Sequence, residues 1–516
     1  MYDSRDYRVA TSCESPCCAK ILDTVEKLTQ LAGVTWYFAV GHQIGWGTGG
    51  MMGQQPGLQE RLFYEFRLDD WVPIEHLLRK IDAVLDLSGL RRELAPFYSH
   101  TGRPSVDPEL MIRMLLVGYC YGIRSERRLC QEVHLNLAYR WFCRLGLEGA
   151  VPEHSSFSKN RHGRFRESAL FRRLFEEVVI RCVKAGLVGG EGFAIDASVI
   201  EADASRGRKV DGKPTTWPEA EKITRPVREY LAALDQAAAE TPESESADSD
   251  MPPGNPPAPP KVTSLTDPLA AWTNKGQVKV GFAYGTNYLI DTRRAIILDV
   301  EATPARWTAK VAATKTMLER TQECFGLKPQ RLAADAAYGS GLMIGWLMRR
   351  GIEPHIPLLD REHQTNGFFT RADFTFDAQA NVFTCPGGKQ LKSTGLVRAD
   401  GTMPYWASPK DCRACPLKPR CTKATKRIVT RNFFEAEREY VRALHGTEAF
   451  ERSARERRKI EMSFAHLKRH LGFRRLRLRG ITGAADEFLL AATVQNLKKL
   501  VRFIGDRAAM PAGCPA

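Results

Sequence analysis

A carboxylate stands in the middle of an otherwise apolar strand. Phe193-Ala194-Ile195-Asp196-Ala197-Ser198-Val199-Ile200 follows the glycine cluster Gly189-Gly190-Glu191-Gly192 and has the length and make-up of a buried strand. An unpaired carboxylate in such a place is costly, so the fold has to supply Asp196 with a cation or a hydrogen-bond partner. More strand-like segments follow at Gln277 to Tyr284, Thr286 to Asp291 and Ala295 to Glu301, with Asp291-Thr292-Arg293-Arg294 reading as a turn. Beyond them come a helix over Ala309 to Cys324, a strand over Arg331 to Ala334, a helix over Gly341 to Arg350 closed by Gly351, and a strand over His355 to Leu358. This order predicts a mixed α/β sheet with flanking helices.

The chain before the sheet has a different texture. Ile74, Leu77, Leu78 and Ile81, and again Leu110, Met111, Met114 and Leu115, keep helical spacing, so residues 61–187 are expected to form an all-α N-terminal domain. Ser125 reads as the N-cap of a helix beginning at Glu126, and Asn136 to Leu145 as a second short helix. With Arg124, Arg127, Arg128, Arg140 and Arg144 on them, the pair is equally consistent with a helix-turn-helix-like DNA reader and with an ordinary bundle bearing a solvated basic face. Residues 1–60 lack periodicity and are expected to be a poorly ordered extension, with Met51 or Met52 the better start. The acidic, proline-rich stretch near 237–262 predicts a disordered loop, and residues 359–435 a cysteine-rich insertion. The sheet domain therefore spans 188–358 and resumes at 436–505, with 506–516 a flexible tail.

Charge narrows the partner. A formal net charge of +15 and a pI near 9.2, with no lipid-anchor motif and no apolar stretch long enough to span a bilayer, favour nucleic acid over membrane. Thirteen cysteines scattered through 516 residues do not resemble a secreted disulfide framework and suit a reducing cytosol.

Two further acids stand where a site could form. Asp335 closes a short strand before Ala336-Ala337-Tyr338-Gly339-Ser340, the strand-to-helix junction at which α/β sites gather. Glu461 is a lone acid in Arg457-Arg458-Lys459-Ile460-Glu461-Met462-Ser463-Phe464-Ala465-His466-Leu467-Lys468. There Ile460, Phe464, Leu467 and Leu471 make one buried helical stripe, and Arg457, Glu461 and Lys468 share a face beside it. An arginine-rich run, Phe473-Arg474-Arg475-Leu476-Arg477-Leu478-Arg479, continues it like the edge of a phosphate-binding surface.

With Asp196, Asp335 and Glu461 in this order, the chain resembles the DDE transposases of bacterial insertion sequences over about Phe66 to Phe503. Arg457-x3-Glu461-x6-Lys468 reproduces the last three members of the Tyr-Arg-Glu-Lys signature that one group carries, and Ala454 stands at its tyrosine position. The Asp335-to-Ser340 context and Ile356-Pro357 are also similar to that group. The resemblance implies a ribonuclease-H-like catalytic core, Asp196, Asp335 and Glu461 as catalytic ligands of Mg2+ or Mn2+, and cleavage and strand transfer on double-stranded DNA. The substrates would be terminal inverted repeats and target DNA, handled by a homodimer or higher oligomer in a bacterial, nucleoid-associated cytoplasmic setting. Carboxylates are hard ligands suited to Mg2+, and paired ions ~3.5–4 Å apart stabilise both the attacking and the leaving oxygen. By the same resemblance Arg457 and Lys468 hold phosphates beside the chemistry, while Arg474, Arg475, Arg477 and Arg479 contact the DNA backbone. A nuclease that does not join strands and a non-catalytic DNA-binding derivative are the alternatives.

Glu201 and Asp203 compete with Asp196, but a strand turns Glu201, five positions on, to the opposite face. Asp291 reads as a turn cap, and His466 and His470 point away from Glu461. Cys385, Cys412, Cys415 and Cys421, spaced C-x26-C-x2-C-x5-C, form a four-thiolate set for which structural Zn2+ is the simplest fill, an iron–sulfur cluster the competing one, and free thiols the plain alternative.

Overall fold

The computed structural model describes residues 66–98, 105–214, 217, 223–239, 252, 258–274, 280–358 and 367–509. The expected N-terminal extension, most of the loop near 237–262 and the last residues of the chain lie outside them. The described helices and sheets belong to the compact unit Arg67–Ala516.

The first part is helical, as the spacing predicts: α1 (Leu77–Val84), α2 (Pro108–Tyr121), α3 (Glu126–Leu135), α4 (Leu137–Phe142), α5 (His154–His162) and α6 (Leu170–Lys184). Ser125 caps α3 by accepting from the Arg128 N–H, and Asn136 caps α4 by accepting from that of Tyr139. Leu78 and Ile81 are fully buried, whereas Ile74, expected on the same stripe, is exposed because it precedes the first turn of α1. The arginines expected to mark a DNA reader divide. Arg140 is buried and donates to the carbonyls of His134, Gly146, Leu147 and Gly149, and Arg124 is spent on Glu487; neither guanidinium is available to a groove. Arg144 pairs with Asp82, while Arg127 and Arg128 remain at the surface.

The central sheet has six strands. β1 (Gly192–Glu201) lies between antiparallel β5 (Gly281–Asp291) and parallel β7 (Arg331–Ala333), and β8 (Glu353–His355) pairs parallel to β7 at the edge. On the far side β5 carries both β4 (Ala271–Thr273) and β6 (Ile297–Pro304), while β2 (Lys209–Asp211) and β3 (Val262–Ser264) pair separately. Two expectations need correction. Where two strands were expected, Gly281–Asp291 is one, and the expected start at Gln277 lies outside the described residues: Gly285 does not break β5 but sits opposite Val199 and Thr303, where a Cβ would come within 3.0 Å of the Thr303 hydroxyl. The last parallel strand begins at Glu353, two residues earlier than expected, because an edge strand tolerates Pro354.

α7 (Arg225–Ala239), α8 (Trp307–Phe325) and α9 (Gly341–Arg349) complete the first pass through the sheet. The chain then builds a five-stranded antiparallel sheet in the order β13-β12-β11-β10-β9, from β9 (Thr375–Asp377), β10 (Val382–Thr384), β11 (Gln390–Lys392), β12 (Thr402–Ala407) and β13 (Ile428–Asn432). It docks on α9 through two glycines, since a Cβ on Gly341 would lie 2.1 Å from Asn432 Oδ1 and one on Gly345 2.3 Å from the Phe434 ring. α10 (Glu435–Leu444), α11 (Glu448–Arg469) and α12 (Ile481–Ala509) return to the central sheet. α12 runs past the expected start of the tail at 506, and its Phe488, Leu489, Ala492, Leu497, Leu500 and Val501 are buried core. Asn496 fixes it to the sheet by exchanging two hydrogen bonds with Ile297, at 2.8 and 2.9 Å. Among the described residues no helix is long and apolar enough to cross a membrane.

Candidate active site

The acid in the apolar strand sits at the crossing of sheet and helix. β1 and β7 run in parallel register, with Ala194 opposite Ala333, so Asp196 and Asp335, each two residues further on, leave neighbouring strands at the same level. Asp335 also caps the turn Ala336–Tyr338 by accepting from the Ala337 N–H at 3.0 Å. The next residue can only be glycine, because a Cβ on Gly339 would stand 2.3 Å from the Pro357 carbonyl oxygen. The third acid comes from α11. Its Ile460, Phe464 and Leu467 are buried as the stripe predicts, and the Phe464 ring stacks on Tyr288 at 4.8 Å; Tyr288 is the β5 partner of Asp196. That stack lays α11 across the strand, with Glu461 on the solvent side of the contact.

Two cations join the three acids. Arg457 reaches Glu461 at 3.0 Å and Asp196 at 3.7 Å, and Lys310, from α8, reaches Asp335 at 3.4 Å while lying 4.3 Å over the Tyr338 ring. The acids form a gradient from inside outward, their side chains 17% exposed at Asp196, 39% at Asp335 and 52% at Glu461. Burial holds the Asp196 carboxyl above the ordinary aspartate range; the neighbouring Asp335 charge adds to this, against the Ala197 N–H, Lys310 and Arg457. Burial beside the same two carboxylates drives the Tyr338 hydroxyl up as well, and its oxygen is buried with no hydrogen-bond partner. Among the described residues no three His, Cys, Asp or Glu side chains stand at metal-binding spacing, because here Glu461 and Asp196 turn to Arg457 and Asp335 to Lys310. The donor set nonetheless suits a hard divalent cation, since a carboxylate whose proton affinity burial and a neighbouring carboxylate raise gains from a positive charge beside it.

The competitors are otherwise engaged. Glu201 pairs with Arg206, and Asp203 takes both Arg475 and Arg479. Asp291 is buried at the turn and accepts from the N–H groups of Gly189, Gly190 and Arg293. His466 meets Gln495 at 3.3 Å, on the side of α11 away from Glu461. A Ser-His-Glu chain exists elsewhere: Ser453 lies 2.7 Å from His355 Nδ1, and Glu353 lies 2.8 Å from Nε2. Ser453 is only 1% exposed and its oxygen also receives Arg331, so this chain ties α11 to β8 and is closed to a substrate. Lys310 is the site residue that sequence reasoning missed; one lysine in a helix of mixed composition gives no signal until the helix is placed on the sheet.

Beside the acids runs the basic strip. Glu201, the last residue of β1, exchanges backbone bonds with the strip (Leu476 N–H to the Glu201 carbonyl at 2.8 Å, Glu201 N–H to that of Arg474 at 3.1 Å), so the strip extends the central sheet by a single bridge. Phe473, Leu476 and Leu478 point inward, while Arg474, Arg475, Arg477 and Arg479 are exposed. Lys468 is half-buried, and burial, with Arg474 adding to it, pulls its ammonium below the usual lysine range.

In the second sheet the four cysteines line one cavity of about 30 Å³. All are free thiols, and Cys385 Sγ accepts from the Lys389 N–H at 3.4 Å. Burial, together with the other three sulfurs, pushes the Cys421 thiol up. The sheet's own core is six buried residues, Phe374, Phe383, Leu391, Tyr405, Ala407 and Val429, with three of the cysteines packed against it.

Two families match the chain. Residues 66–163, from before α1 through α5, match a family described as a transposase domain, and residues 384–501, which include all four cysteines, Glu461 and the basic strip, match one described as a transposase DDE domain. Asp196 and Asp335 lie between the two matched segments. No solved structure matches the chain.

Proposed function

The chain belongs to the insertion-sequence DDE transposases, and from that premise we propose that Asp196, Asp335 and Glu461 are its catalytic triad, on a sheet of the ribonuclease-H-like kind. The observation that carries this reading is the meeting of the three acids: two level with each other on adjacent parallel strands, the third on α11, joined to the first through Arg457. The three carboxylates would hold Mg2+ or Mn2+, and such ions, when bound, stabilise the oxygens that attack and leave phosphorus. The chain's own part is orientation. Asp196 is fixed by the Ala197 N–H at 2.7 Å, Asp335 by the turn it caps, and Glu461 by its helix. Arg457 and Lys310 neutralise the acids until DNA arrives; Arg457 then turns to phosphate, with Lys468 beside it. Arg474 and Arg477 meet the DNA backbone directly, and Arg475 and Arg479 do so from their shared anchor on Asp203. Substrate and partner are double-stranded DNA, the element's terminal inverted repeats and a target, held by a homodimer or higher oligomer at the bacterial nucleoid. Zn2+ on Cys385, Cys412, Cys415 and Cys421 would cross-link a sheet too small to rest on its core alone.

The test is an in vitro assay on the element's end sequences with a target plasmid. Wild-type protein is expected to cut and join in Mg2+, and Asp196→Asn, Asp335→Asn and Glu461→Gln to bind ends yet lose cleavage by on the order of 10³-fold or more, the scale of lost transition-state charge stabilisation. Wild-type cleavage in any of the three variants overturns the triad, and cut ends that never join identify a nuclease.

A further inference from the structure

A second basic surface lies on the opposite side of α11 from the acids. At 100° per residue, Lys459, Met462 and His466 fall far around the helix from Glu461 and Arg457. They line a concavity of about 530 Å³ with the β5–β6 turn and α12, which contribute Arg293, Arg294, Lys498, Lys499 and Arg502. No carboxylate lines it; Asp291 is buried under the turn, where it accepts from the Arg293 N–H, and Asp506 lies 3.9 Å from Arg502 with both side chains exposed.

The surface is built, not merely basic. Lys459 donates to the carbonyls of Thr292 and Arg293, and Lys499 to that of Ala295. Ala295 holds a left-handed backbone, φ 57°, at the close of the same turn, a conformation that alanine keeps only where its surroundings impose it. Two lysines from two helices thus spend their ammonium groups pinning a turn whose following side chains, Arg293 and Arg294, are exposed. Lys498 donates to the Cys120 carbonyl at 2.7 Å, so Arg502 is the exposed cation that α12 sets beside them, and Met462, 70% exposed, gives the floor an apolar spot. Burial, with Lys498, His470 and Lys499 adding to it, lowers the proton affinity of His466.

We propose that this concavity binds the phosphate backbone of a second duplex DNA segment, distinct from the one presented to Asp196, Asp335 and Glu461. The inference rests on the reading of the chain as an enzyme acting on DNA. A fixed turn with two outward arginines, Arg293 and Arg294, facing a helix that presents Arg502, recognises neighbouring phosphates without reading bases. The thickness of α11, about 10 Å with its side chains, separates this surface from the one at the acids, so the two backbones are contacted from different flanks of the helix.

The test measures binding of a short fluorescent duplex of arbitrary sequence to the full chain across a salt series. The first variant is Arg293→Ala/Arg294→Ala/Arg502→Ala, three exposed side chains; the second, Arg474→Ala/Arg477→Ala, removes contacts on the acid side. Each lost phosphate contact flattens the slope of log K against log salt by about 0.9, so the triple variant is expected to flatten it by roughly 2 to 3. An unchanged slope in the triple variant, with the strip variant weakened, overturns this proposal and leaves the active-site reading standing. If neither variant changes duplex binding, both readings fall. Loss of binding to poly-aspartate with duplex binding intact overturns it in favour of an acidic protein partner. Arg502→Glu alone, on the exposed face of α12, repeats the test should the triple variant melt early.

Discussion

Glu487 is the residue whose loss has the most calculable consequence. It lies on α12, has no exposed surface, and holds three parts of the chain together. One carboxylate oxygen accepts from the N–H groups of Arg477 and Leu478, both at 2.6 Å, and the other pairs with Arg124, with the Tyr119 hydroxyl at 3.5 Å. Arg124 in turn lies 4.8 Å over Tyr119 and 4.1 Å over Phe473. Burial pushes the Glu487 carboxyl up, but Arg124, Arg161 and the two N–H groups outweigh it and hold the group below the usual glutamate range. Glu487→Gln keeps an oxygen for the two N–H groups and turns an amide donor toward a buried guanidinium. Breaking a buried pair from one side costs about 3–5 kcal/mol; Glu487→Ala also orphans two N–H groups, at about 1–3 kcal/mol each. Against a typical total of about 5–15 kcal/mol, the glutamine variant is expected to be marginal and the alanine variant unfolded or nearly so.

The assay is urea unfolding of wild type, Glu487→Gln, Arg124→Met and the double variant. Because most of the penalty is the stranded Arg124 charge, the double variant is expected to regain on the order of 2 kcal/mol over the sum of the singles. A glutamine variant within about 0.5 kcal/mol of wild type, the range of an inconsequential surface change, or strict additivity refutes the argument. The acid side has a fixed sign. A carboxyl held low in the fold contributes stability that is present above its unfolded pKa and lost as pH falls through the folded one, so the gap between wild type and Glu487→Gln closes in acid.

Two more outcomes are expected. Asp196 has to be ionised to act, and burial and Asp335 raise its proton affinity while Lys310 lowers it; the acid limb of the cleavage pH profile should lie above the ordinary aspartate range and move higher in Lys310→Met, and an unmoved limb refutes the role given to Lys310. Protein purified from zinc-supplemented medium is expected to carry one zinc per four-cysteine set, lost in Cys421→Ser, as read by elemental analysis; iron with visible absorbance identifies a cluster instead, and neither metal leaves plain thiols.

What the sequence displays is what repeats along it. The stripe Ile460, Phe464, Leu467 and Leu471 announces α11 and which way Glu461 faces, because a helix repeats its buried positions locally. The apolar run around Asp196 announces β1 for the same reason. What it conceals depends on partners far along the chain. Gly285 reads as a break until Thr303 is placed against it, and Pro354 argues against a strand until β8 proves to be an edge. Arg124 and Arg140 look the same as Arg127 and Arg128 in a basic helical segment; only the fold shows that the first two are buried and bonded inside.

The cations among the acids follow from the same physics. Carboxylates gathered without an ion repel one another, and at Asp196 the Asp335 charge adds to burial in raising the proton affinity. Arg457 and Lys310 offset it in the absence of metal, each from a helix packed on the sheet rather than from the acid-bearing strands. Both are long, flexible side chains with modest exposure, able to swing from carboxylate to phosphate without moving a backbone. Asp196, Asp335 and Glu461 would hold a divalent ion in the proposed site, and Arg457 and Lys310, released from them, would be left to pair with phosphate. An enzyme arranged in this way would keep its acids paired with its own arginine and lysine until a DNA end is in place, which is what the proposed strand cleavage requires of a site that must stay idle on other DNA.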